Sequence, residues 1–269
     1  MIIGLDLGAS AIKVVGLEGD EILFTLTENK ENINLDSFLR AVIKAQGYRV
    51  SDVSAVALTG VGAEQSNLRK DVVPIIFVPE IIATGEGGAW LSKCSRAIVI
   101  SLGTGTSLVF ANEGNFTHVG GTGVGSGTVR GLSKKLFGMT DLKEVFALAN
   151  TGDEKNVNIQ IGDLFSGTDT LPLDLTASNL AKCGGNPSDG DWAAGVIIMA
   201  LEVAGSHAAL ACQAYDVDTV VVTGGLSQTD IALRCYAGFT RLYKPDYIIP
   251  PHSDCATAIG AARRIIRGA

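Results

Sequence analysis

Short apolar, β-branched runs recur along the chain, separated by polar, glycine-bearing turns. The runs near 2–6, 12–17 and 21–26 predict a three-strand meander with two hairpin turns. A helix is expected at 34–47, strands at 54–58 and 75–78, and a helix from about 80 to 93. Strands near 97–102, 106–111 and 115–119 then repeat the opening meander, as a duplicated lobe would. Helices follow over 126–137 and 142–150, and a polar, turn-rich insertion fills 151–190. A long helix from about Asp191 to Ala214 leads into strand 218–223, helix 229–238, strand 246–249 and a last helix over 255–267. This alternation implies α/β architecture with a mostly parallel sheet in each of two lobes, expected over 1–93 and 94–269.

The stretch Trp192 to His207 is apolar nearly all round, which calls for burial on more than one face. It serves either as the central helix of the second lobe alone or as a subunit interface as well; His207 on it is expected to be a satisfied core histidine. With 269 residues, 46% of them hydrophobic, the chain buries a full core with room for a cleft between lobes. Aromatic residues make up only 6% and the net charge is −7, which argues against nucleic-acid or anionic-membrane surfaces. Pro74, Pro79 and Glu80 interrupt the most hydrophobic stretch, Val72 to Ala83, so no apolar run is expected to reach membrane-spanning length. Met1-Ile-Ile-Gly starts directly as a strand without a basic leader, so the expectation is no signal peptide and a cytoplasmic protein. Cys94, Cys183, Cys212, Cys235 and Cys255 form no C-x-x-C pair, which argues against zinc or redox motifs and for buried thiols.

The candidate chemistry lies in three glycine-bearing stretches, each following a predicted strand: Gly4-Leu-Asp-Leu-Gly-Ala-Ser-Ala-Ile-Lys13, Ser101-Leu-Gly-Thr-Gly-Thr-Ser107 and Val221-Val-Thr-Gly-Gly-Leu-Ser227. Turns of small and hydroxylated residues present backbone N–H groups to phosphate or sugar. The first also carries an acid, Asp6, with Ser10 and Lys13 close behind, the groups that phosphoryl transfer from ATP requires.

The order of these stretches resembles the acetate and sugar kinase, Hsp70 and actin superfamily, whose two ribonuclease H-like lobes hold ATP in the cleft between them. Within it, Ile75-Ile-Phe-Val-Pro-Glu-Ile-Ile-Ala-Thr-Gly-Glu-Gly87, Gly103-Thr-Gly-Thr-Ser107, Val119-Gly-Gly-Thr-Gly-Val-Gly-Ser-Gly-Thr128, Leu173-Asp-Leu-Thr-Ala-Ser-Asn179 and Ala258-Ile-Gly-Ala261 resemble the type II pantothenate kinases over nearly the whole chain. The resemblance implies that Asp6, Leu7, Gly8, Ala9, Ser10, Ala11, Ile12 and Lys13 wrap the ATP phosphates and Mg²⁺, with Asp6 as the metal acid and Thr104 completing the cradle. It implies that Ser126, Gly127, Thr128, Val129 and Arg130 open a helix whose free N–H groups suit the nucleotide. Gly225 would lie along the adenosine, and Leu142 stands where a bacterial relative has a tyrosine near the nucleotide. Glu80 would be the general base toward the primary hydroxyl of pantothenate, Thr176 would bind the pantothenate chain, and the long helix would make a homodimer contact. Glu86 reads as a solvated face.

Besides Leu142, two positions depart from the family: Ala9 replaces the second glycine of the first loop, and His118 replaces an arginine that contacts pantothenate. An imidazole lacks the permanent bidentate charge of arginine. Phosphorylation of pantothenate at the start of coenzyme A synthesis is therefore expected. The alternatives are a same-fold kinase of an N-acetylhexosamine or of pantetheine, or an ATPase-type activator protein.

Overall fold

The computed structural model describes residues 1–29, 33–64, 66, 68, 73–165 and 172–268. Val72 and residues 166–171 of the expected insertion lie outside the described residues. The first half consists of β1 (Ile2–Leu7), β2 (Ala11–Glu18), β3 (Glu21–Asn29), α1 (Leu35–Ala45), β4 (Ala55–Thr59), β5 (Ile75–Phe77) and α2 (Glu80–Ser92). The second begins with β6 (Arg96–Leu102), β7 (Thr106–Asn112), β8 (Asn115–Thr122), α3 (Ser126–Phe137) and α4 (Leu142–Ala149). The insertion carries β9 (Ile159–Gln160), α5 (Ile161–Leu164) and β10 (Thr176–Ser178). The chain closes with α6 (Asp189–Tyr215), β11 (Thr219–Thr223), α7 (Asp230–Leu242), β12 (Asp246–Ile248) and α8 (Ala256–Gly268).

Two five-stranded sheets carry the fold, ordered β3-β2-β1-β4-β5 and β8-β7-β6-β11-β12. Each combines an antiparallel meander with two parallel strands added beside its first strand. The sheets are thus mixed rather than mostly parallel, because the hairpin turns of each meander reverse the chain before any helix can cross over. The matching orders bear out the internal repeat. The central strands β1 and β6 have neighbours on both sides and helices on their faces, which is why their sequences are nearly continuous apolar runs.

The 27-residue helix α6 starts at a capping box: Asp191 N donates to Ser188 Oγ and Ser188 N to Asp191 Oδ2. Asp153 N also donates to Asp191, and these backbone donors hold its carboxyl down at about 2. By length and composition α6 is long and apolar enough to cross a membrane, contrary to the sequence expectation, but 61% of its most apolar window is buried inside the protein. It forms the centre of the second core with Ile98, Ile100, Val220 and Tyr236. His207 is not a core residue; it is exposed on α6, its Nδ1 2.7 Å from the Val203 carbonyl oxygen. Of the cysteines, Cys212 and Cys255 are buried with thiols pushed up to about 12 by burial, whereas Cys183 is exposed in the insertion.

The last helix leaves the second sheet and returns to the first. There α8 packs Ala258, Ile259 and Ala262 against Val15, Leu17 and Ala57, so the division drawn at 93/94 does not follow the packing. Between the two sheets α8 crosses α2 at very close range: a Cβ on Gly87 would lie 1.9 Å from the Ala256 oxygen, and one on Gly260 1.9 Å from the Ala83 oxygen. Only glycine permits this approach. The buried hydroxyls of Thr84 and Thr257 meet at 3.2 Å across the same crossing.

Candidate active site

Turns at the ends of the paired sheets face one another across a cavity of about 550 Å³. On one wall, the β1–β2 turn brings Gly8, Ala9 and Ser10; on the other, the β6–β7 turn brings Gly103, Thr104 and Gly105. The hydroxyls of Ser10 and Thr104 lie 3.0 Å apart and tie the two turns together. Behind them, antiparallel register places Asp6 on β1 opposite Lys13 on β2, and Lys13 Nζ lies 3.8 Å from Asp6 Oδ2 with both side chains largely buried. Ala11, Lys13, Ser126, Arg130, Leu142 and Gly225 also line the cavity.

Three of the expected nucleotide residues are core positions. Leu7, Ile12 and Val129 are at most 1% exposed, because strand and helix periodicity turns them away from the cleft. The start of α3 does not offer all the N–H groups expected of it. Ser126 N donates to the Gly103 oxygen (2.8 Å) and Gly127 N to the Thr104 oxygen (2.9 Å), so this helix end grips the second turn from below. The Thr128 hydroxyl is likewise engaged, donating to the Gly123 carbonyl oxygen. Arg130 from the same turn of helix reaches the cavity, and its Nε is buried without a partner among the described residues. In the Gly-Gly turn after β11 the two glycines differ. Gly224 has φ +94° and backs onto Leu102, whereas Gly225 is open to the cavity.

Glu80 begins α2 after Pro79 and points along the cleft, reached by solvent. The cleft walls strip part of its hydration and push its carboxyl above the ordinary range; the Asp6 carboxylate acts in the same direction and Lys13 opposes it. Two turns' worth of chemistry separates it from Glu86. Far from a solvated face, Glu86 is 3% exposed, and both its oxygens accept from Arg267 Nη1 of α8 at 2.9 Å.

His118 and Thr176 lie outside the cavity lining. His118 is exposed on β8, opposite Val109 of β7. The Thr176 hydroxyl donates to Glu202 Oε1 on α6 (2.7 Å) and Asn179 Nδ2 to Glu202 Oε2 (2.6 Å), so the Leu-Thr-Ala-Ser-Asn turn is pinned to the long helix. Burial raises the Glu202 carboxyl, while these two donors oppose the rise. Sequence reasoning missed Asn29, Asp141, Lys143, Gln228 and Asp254, which all line the cavity. Asp141 was legible as a helix cap, since it accepts from Lys143 N at 2.8 Å; nothing local marks the others.

A polyphosphate fits this arrangement: the paired hydroxyls of Ser10 and Thr104 and the cationic side chains of Lys13 and Arg130 line one cavity. Among the described residues no three His, Cys, Asp or Glu side chains converge as a metal cage. A divalent cation here would take Asp6 from the protein and its remaining ligands from phosphate and water, as Mg²⁺ commonly does.

Comparison with known proteins agrees with this reading. The family model Fumble matches residues 93–243. A type II pantothenate kinase of Bacillus thuringiensis subsp. konkukian (strain 97-27) is 27% identical over 272 residues, covering 96% of this chain and 95% of the relative. One of Bacillus cereus (strain G9842) is 31% identical over 198 residues, covering 70% and 72%. The activator of the 2-hydroxyisocaproyl-CoA dehydratase from Clostridium difficile, solved with bound ADPNP, shares the fold with a TM-score of 0.70 at 19% identity, covering 99% of this chain and 94% of that one. The chain therefore belongs to the Fumble family of type II pantothenate kinases, and is a kinase with the two-lobe α/β fold of the acetate and sugar kinase, Hsp70 and actin superfamily.

Proposed function

We propose that this kinase transfers the γ-phosphoryl group of ATP to the primary hydroxyl of pantothenate, the first step of coenzyme A synthesis, with Glu80 as the general base. The observation that carries this reading is the exposed Glu80 carboxylate at the head of α2, held in the same cavity as the Ser10–Thr104 cradle and the Asp6–Lys13 pair. Bound Mg²⁺ would neutralise phosphate charge as it is transferred. The chain's own residues do the rest. Glu80, raised above the ordinary carboxylate range, accepts the proton of the attacking hydroxyl. Ser10, Thr104, Lys13 and Arg130 hold the phosphate chain in place, and Gly225 leaves room for the nucleoside. Positioning and charge stabilisation carry most of the rate, and the base adds ~10²- to 10⁴-fold.

Glu80→Gln keeps the shape of the site but cannot take the proton. It is expected to leave ATP affinity nearly unchanged while lowering kcat ~10²-fold or more. A coupled ADP-release assay run with pantothenate, pantetheine and N-acetylglucosamine tests both residue and substrate; turnover of only the last would replace pantothenate as the acceptor, and unchanged kcat would remove Glu80 as the base. We also propose a homodimer through α6, where the apolar side chain of Leu210 is 64% exposed. Sedimentation equilibrium giving a monomer at micromolar concentration would overturn it.

A further inference from the structure

Three linked hydrogen bonds beside the nucleotide cavity, two of them buried, have only one consistent direction. Ser227 Oγ lies 2.7 Å from the Gly224 carbonyl oxygen, which only accepts, so the single Ser227 hydroxyl proton points there. Ser227 Oγ also lies 2.7 Å from Ser253 Oγ, so Ser253 must be the donor in that bond. Ser253 Oγ, its own proton committed, then accepts from Gln228 Nε2 at 2.7 Å. Ser227 and Ser253 are both fully buried, so no water is at hand to relax the sequence. An amide's oxygen and nitrogen are alike in shape, and surroundings decide which way it lies. Here a flipped Gln228 would set its carbonyl oxygen against a hydroxyl oxygen with no proton to share.

The chain therefore fixes Gln228 with nitrogen inward. Gln228 is exposed and lines the cavity beside Gly225, and among the described residues nothing donates to its Oε1. We propose that Gln228 is a specificity-determining residue that offers Oε1 as an acceptor to a donor group of the bound nucleoside, the exocyclic amine of the base or a ribose hydroxyl. The inference rests on the reading of this cavity as the ATP site. Its directionality comes from the Gly224 carbonyl, three bonds away, so the α7 lead-in and the loop before α8 act together to aim one side chain.

Calorimetric titration of wild type and Gln228→Met with ATP, 2′-deoxyATP, 3′-deoxyATP and purine riboside triphosphate tests the idea. Met keeps the length and removes the acceptor. Gln228→Met is expected to bind ATP ~3- to 10-fold more weakly, the scale of one net hydrogen bond. One analogue, the one lacking the donor, should bind both proteins alike, and its identity names the group that is read. Ser253→Ala, which frees the amide to turn, should lose the preference for ATP over that analogue although Ser253 touches no ligand. Because Gln228 is exposed, the Met variant stands alone should Ser253→Ala fold poorly. The inference is overturned by ATP affinities within about twofold, by equal wild-type affinity for all four nucleotides, or by a uniform loss across them in the variant. A wild type that binds no ATP would instead remove the phosphotransfer reading itself.

Discussion

Adding one methyl group at Gly260 and one at Gly238 should have opposite effects, and the structure supplies the sign of each. Both glycines lie inside helices, so alanine gains backbone entropy in either case, ~0.5 to 1 kcal/mol. At Gly238 on α7 the new Cβ meets nothing within 4 Å, and that gain stands alone. At Gly260 it lands 1.9 Å from the Ala83 oxygen and 2.5 Å from Gly87 N, both backbone atoms of α2 that no rotamer change can move aside. The helices must separate by more than about 1 Å, and overpacking of this kind costs ~3 kcal/mol at the upper end of its range. Less the entropy gain, the net loss of ~2 to 2.5 kcal/mol corresponds for a chain of this size to a Tm lower by ~4 to 10 °C, against a rise of ~1 to 4 °C for Gly238→Ala. Function should follow the same geometry, because α2 carries Glu80 at its head. An ångström of displacement there would lower kcat ~10²-fold at temperatures where Gly260→Ala is still folded. Differential scanning calorimetry and steady-state kinetics below the transition measure both. An unchanged Tm in Gly260→Ala would refute the close crossing, and a normal kcat in a destabilised variant would refute its link to the site.

Asp6→Asn removes a charge that raises the Glu80 carboxyl, and Lys13→Gln removes one that lowers it. Because the base works only when deprotonated, the acidic limb of log kcat should move to lower pH in the first and to higher pH in the second, whatever the residual rate; shifts of the same sign would exclude Glu80 as the titrating group. Arg267→Met leaves the Glu86 carboxylate buried without its partner and should destabilise by ~2 to 3 kcal/mol in urea, reduced from the fully buried case because Arg267 is half exposed. Glu86→Leu combined with Arg267→Met should recover most of that loss, and a double variant as unstable as the single one would show that the pair does not carry the effect.

Local pattern and long-range contact divide what the sequence discloses here. Strand runs, helix periodicity and the repeated meander depend on neighbours within a few residues, and they placed the turn residues Gly8, Ser10, Thr104 and Gly225 in one cavity through the superfamily order. What escaped depends on partners far along the chain. Glu86 looks like an exposed helix carboxylate until Arg267, 181 residues later, is folded onto it. The N–H groups at the head of α3 look free because a helix start leaves them so by rule, yet the carbonyls of Gly103 and Thr104 arrive to take two of them. Thr176 and Asn179 carry a motif, and it is Glu202 on α6 that fixes where their polar groups point. Gln228 sits three residues past a recognised Gly-Gly turn without any signal of its own, since its orientation is set by Ser253, 25 residues on, and by a proton committed at Gly224. In each case residue type was visible and protonic role was not: a donor or acceptor acquires its function only when the fold decides which of its bonds is already spent.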